Sequence, residues 1–76
     1  MIEASYYVIK DVEDLLERRN LDRLKDVIKG YCARYINDTE FHDICSQLLE
    51  VLDSNDEEKL KEIEQKLAQL REKRRL

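Results

Sequence analysis

Proline and tryptophan are absent from the 76-residue sequence, and glycine occurs once, at Gly30. Sheet-rich folds turn on glycine and proline, so a chain this poor in both is not built from hairpins. Aromatic residues are scarce as well, at 7%. No run of about 18 apolar residues occurs, so no membrane-spanning helix is expected. The first ten residues carry an acid, Glu3, and no long apolar block, which does not read as a secretory signal. Cys32 and Cys45 are therefore expected to be free thiols, packed as small hydrophobes in a reducing, cytoplasmic setting.

Charge is what the chain has in plenty: 42% of residues are charged and 42% hydrophobic. Interspersed signs and a large hydrophobic share suit a folded helical domain better than a solvated tail. The length suits one domain, 1–76. Charge this far above the usual quarter also fits a heat-adapted protein with surface ion-pair networks. The net charge of −4 averages three unlike segments. Residues 1–36 are balanced, residues 37–65 carry ten acids against Lys59 and Lys61, and residues 66–76 carry five bases against Glu72. Cations at that end oppose the negative pole of a helix dipole, which is reason enough for them to be there.

With so little glycine and proline, the bends fall to Asn20, Asn37 and Asn55, because asparagine caps helices well and sits poorly inside them. Asn37 as a cap places Glu40 for a capping box and Ile36 against Phe41 as a hydrophobic staple. Near Asn55, Ser54 and Glu57 have capping-box spacing, and Asp56, Glu57 and Glu58 load the next first turn with acid. Four antiparallel helices are predicted at about 2–19, 21–36, 38–53 and 55–75, forming a bundle or two stacked αα-hairpins. A faint duplication, Leu15-Leu16-Glu17 against Leu48-Leu49-Glu50, suits the hairpin form. Its period is near that of tetratricopeptide repeats, but the Trp, Gly and Pro positions of that repeat are missing.

Each predicted helix carries an apolar stripe. The first runs Ile2, Tyr6, Ile9, Val12, Leu16 and the second Leu21, Leu24, Ile28, Tyr31, Tyr35. Phe41, Ile44, Cys45, Leu48 and Leu52 make the third, and all three are widened by flanking apolar residues. The fourth is a bare three-four alternation of Leu60, Ile63, Leu67 and Leu70. A narrow seam suits a helix with fewer neighbours, so helix four is expected to be the most peripheral or most available. It is also about five residues longer than the others by this reading, an overhang of ~7 Å. The seam itself is expected to close the monomer's core rather than pair with a second copy.

Chemistry has little to work with. The lone His42 and Cys45 share a helix side, but nothing glycine-rich supplies an oxyanion pocket. Cys32, His42 and Cys45 are three zinc-type ligands without the paired spacing of a structural site. No catalytic residue, metal site or cofactor is expected, and no small-molecule substrate. The expected function is that of a non-enzymatic helical adaptor or accessory subunit binding a larger protein or itself. Tyr7, outward on helix one, and Leu70, Arg71, Arg74 and Arg75 on the extension of helix four are its candidate contacts. Membership of a nucleic-acid-processing complex would reconcile the acidic body with the basic end. The alternative is a small, dimeric nucleic-acid-binding regulator using Lys66, Arg71, Lys73, Arg74 and Arg75. Gly30, on the polar side of helix two, marks either a close backbone approach or a kink.

Overall fold

The amphipathic stripes become four helices in a computed structural model of the chain, which describes residues 3–75. They are α1 (Ala4–Glu17), α2 (Leu21–Arg34), α3 (Thr39–Ser54) and α4 (Glu57–Lys73). Expected boundaries shift by at most two residues, and the start placed at Ile2 lies outside the described residues. Cross-helix pairs give the directions. Tyr31 of α2 meets Asp11 of α1, Lys25 meets Asp53 of α3, Lys66 of α4 meets Gln47 of α3, and Arg71 of α4 meets Glu13 of α1. Successive helices therefore run antiparallel, and α4 packs back on α1, closing an all-α four-helix bundle.

The turns are made differently from the three-asparagine scheme. Asn20 does cap α2, its side chain accepting from the Arg23 amide at 3.4 Å. At α3 the cap is Asp38, one residue past Asn37, accepting from the Phe41 amide at 3.3 Å. At α4 it is Asp56, accepting from the Lys59 amide at 3.3 Å. Ser54 instead ends α3, its hydroxyl donating to the Val51 carbonyl at 3.0 Å. Asn55 follows in the left-handed conformation, φ 54°, which asparagine tolerates better than most residues. The end of α1 is a Schellman turn: the Asn20 amide donates to the Leu15 carbonyl and the Arg19 amide to the Leu16 carbonyl, both at 3.0 Å. Its left-handed residue is Arg19, φ 56°, where glycine is the usual choice.

One core runs the length of the bundle. It comprises Ile9, Val12 and Leu16 from α1, Leu24, Ile28 and Cys32 from α2, six residues of α3 from Phe41 to Leu52, and Leu60, Ile63, Leu67 and Leu70 from α4. The α4 seam closes the monomer's core, as its spacing implied. The expectation that α4 lies at the periphery is corrected, since α4 packs on both α1 and α3. Its stripe is narrow because its flanks carry charge instead of hydrocarbon. Arg71 reaches Glu13 on α1, while Lys66 and Lys73 reach Gln47 and Glu40 on α3. At 17 residues against 16 for α3, it forms no five-residue extension either.

Candidate interaction surface

The basic end of α4 is engaged with its own bundle. Arg74 lies just past the helix, its side chain 15% exposed, and holds Asp38 through two hydrogen bonds of 2.5 and 2.9 Å. It also donates to Ser5 Oγ at 3.0 Å, and its carbonyl accepts from the Glu3 amide at 3.2 Å. The start of α1, the α2–α3 turn and the end of α4 are thereby tied at one pole. The Arg74 guanidinium holds the Asp38 carboxyl below the usual carboxylate range, with the Phe41 amide helping against the cost of burial. Arg71 Nε donates to Glu13 at 2.6 Å, and Lys73 pairs with Glu40 at 3.1 Å. Arg75 is exposed beside Glu72 at 3.7 Å, and Lys66 is exposed while donating to Gln47 at 2.8 Å. Leu70, expected on an accessible extension, is 3% exposed and belongs to the core. At the opposite pole Arg19 pairs with Glu57 at 2.9 Å and with Glu64, joining the end of α1 to the start of α4.

Cys32 lies on α2, while His42 and Cys45 lie on α3. Cys32 and Cys45 are both buried and free. Burial pushes both thiols up, and the contact with Cys32 raises Cys45 further. They stay protonated at neutral pH and behave as packing groups. His42 is half-buried. Among the described residues no group of three or more His, Cys, Asp or Glu side chains is placed to hold a metal ion. No helix there is long and apolar enough to cross a membrane.

Among the described residues two large apolar side chains remain outside. Tyr7 is 61% exposed on the outer side of α1, its ring edge-on to Tyr6 with centroids 5.3 Å apart. Ile36, in the α2–α3 turn, is also 61% exposed. The expected staple of Ile36 on Phe41 does not form. With the cap at Asp38, it is Tyr35 that packs edge-on against Phe41, at 5.6 Å, and Ile36 is turned outward. Tyr7 lies one turn before Asp11 and Ile36 just beyond Tyr31; since Asp11 and Tyr31 are bonded, both apolar groups lie toward the same pole. The sequence marked Tyr7 through its place on the helical wheel. Ile36 carried no such signal, because its exposure follows from a one-residue choice of cap.

No family model matches the chain, and comparison with curated proteins and with solved structures likewise finds no match.

Proposed function

We propose that the protein is a helical adaptor or accessory subunit without catalytic activity, docking onto a larger protein through the pole that carries Tyr7 and Ile36. The observation that carries this reading is their joint exposure at one end of a bundle whose other large apolar side chains, among the described residues, are buried or half-buried. Exposed aromatic rings are among the usual anchors of a protein contact, and Ile36 adds apolar area at the same pole. The alternative, nucleic-acid binding by the basic end, is less favoured. Arg71 and Arg74 already engage Glu13 and Asp38, and turning them to phosphate would release α4 from its neighbours.

The test is affinity capture from native lysate with and without nuclease, using the wild-type chain and the Tyr7→Ala/Ile36→Ser double variant. Both substitutions are at exposed positions, so helicity by circular dichroism should be unchanged. A stoichiometric protein partner that survives nuclease and is lost with the double variant supports docking at this pole. Co-purifying nucleic acid, with affinity falling steeply as salt rises, would support the regulator instead.

A further inference from the structure

Glycine is among the poorest helix formers, yet Gly30 sits inside α2 with nothing in the chain to require it. Its φ is not positive, and a Cβ built on it meets no atom within 4 Å. Its surroundings are specific. Asp26 and Arg34 stand four residues to either side, on the same ridge of the helix, and all three positions are exposed. Neither Asp26 nor Arg34 forms an ion pair among the described residues. Arg34 is nevertheless held in place, its guanidinium 5.9 Å from the centroid of the Tyr31 ring. That ring is pinned in turn, because the Tyr31 hydroxyl donates to Asp11 at 2.6 Å. With Val27, these side chains line one shallow depression over the glycine.

We propose that this ridge is a contact between two copies of the chain, in which α2 crosses α2 of the partner subunit in antiparallel fashion at Gly30. The charge pattern selects both the occupant and the direction. A two-fold axis at Gly30 brings each residue four positions before it opposite the residue four positions after it on the other protomer. Asp26 of each protomer then faces the partner's Arg34, about 6 Å along the axis from the crossing. A parallel pairing would set Asp26 against the partner's Asp26 and Arg34 against the partner's Arg34, and like charges would oppose it. Lack of a side chain at the crossing lets the two backbones approach closer than the ~8–10 Å usual for packed helices. A single helix crossing is a small interface, so a reversible, weak dimer is expected. The residues that carry the dimer, Asp26, Gly30 and Arg34, are not those that carry the docking reading, Tyr7 and Ile36, so separate variants let the two fail separately.

Equilibrium sedimentation of the purified chain over a wide concentration range tests it. The mass should rise from 9.2 kDa toward twice that value. Gly30→Leu fills open space in the monomer, so its circular dichroism should match wild type while dimer affinity drops at least about tenfold. Asp26→Arg and Arg34→Asp should each cost a comparable factor, about tenfold, and the double swap should recover most of it by restoring opposite charges across the axis. A 9.2 kDa species at every concentration would overturn the proposal. So would a dimer indifferent to Gly30→Leu, or one that the double charge swap fails to restore.

Discussion

Helices α2 and α4 hold equivalent places, each lying between α1 and α3 at opposite corners of the bundle, and they hold them by different means. The flanks of α2 are hydrocarbon: Leu21, Val27, Tyr31 and Tyr35 are partly buried against the core. The flanks of α4 are ionic and polar, with Arg71 on Glu13 and Lys66 and Lys73 on α3. Outward, the contrast reverses. The exposed side of α4 is crowded with long polar side chains such as Glu58, Glu62, Gln65 and Gln69, while that of α2 includes Gly30 and Ala33. A helix that spends charge on its neighbours can keep a narrow apolar seam. A helix that packs through hydrocarbon can leave outer charges such as Asp26 and Arg34 without an ion pair among the described residues. The width of a stripe therefore reports what flanks a helix, as well as how many neighbours it has.

The largest effect expected from this contrast is in the seam. Leu67 is fully buried, and α4 has no apolar flank to compensate for its loss. Leu67→Ala should cost about 2–5 kcal/mol, against total stability of order 4–11 kcal/mol for a domain of this size. Val27→Ala, on the half-buried flank of α2, should cost about 0.5–1.5 kcal/mol. Urea unfolding of both variants measures the ratio, and equal losses would remove the distinction between the two helices.

Next in size is the pole held by Arg74. Asp38 both caps α3 and receives the arginine, so Asp38→Ala should cost about 2–3 kcal/mol. Asp38→Asn keeps a competent cap and loses the ion pair, and should recover part of that. The pH dependence has a definite sign. The folded Asp38 carboxyl is held below its unfolded value of about 3.9, so its contribution is complete above roughly pH 5. It is lost as pH falls through 3.9 toward the depressed folded value. In Arg74→Ala this part of the acid sensitivity should shrink, which stability curves between about pH 6 and 3 would register.

These particulars mark where the sequence was legible. The seam of Leu60, Ile63, Leu67 and Leu70 could be read because burial of one helix face leaves a periodic trace. Asn20 could be read as a cap because nothing beside it competes. At Asn37-Asp38 two good caps are adjacent, and the choice is made by Arg74, 36 positions away, which fixes the Asp38 carboxylate. The exposure of Ile36 follows from that choice, as does the packing of Tyr35 on Phe41. The place of α4 does not follow from its stripe for a related reason, since a pair such as Glu13 with Arg71 leaves no periodic signal within either helix. Tyr7 was visible as an outward aromatic, whereas the basic end of α4 read as available because its partners lie elsewhere in the chain.

A smaller effect is expected where α1 meets α4. Arg19 occupies a left-handed conformation and also supplies the side chain that reaches Glu57 and Glu64. Arg19→Ala removes the side chain and leaves the backbone cost, whereas Arg19→Gly removes both. The glycine variant should therefore be the more stable of the two by about 1 kcal/mol in thermal or urea unfolding. Equal stability would mean that the turn costs nothing at that position.

The smallest effect, and the only gain, belongs to α2. If Gly30 serves no purpose within the monomer, Gly30→Ala should stabilise it by about 0.5–1 kcal/mol, because alanine loses less backbone freedom on entering a helix. The added methyl has open space in front of it, so no packing loss offsets the gain. For a domain of this size the melting temperature should rise by roughly 2–8 °C, measured on protein dilute enough to be monomeric. The comparison of helices then gains a control. No such gain can be expected at Ala68, which already lies half-buried among the flanking charges of α4. A neutral or destabilising Gly30→Ala would mean that the monomer itself needs this glycine, and the outer ridge of α2 would lose its claim to be shaped for a second chain.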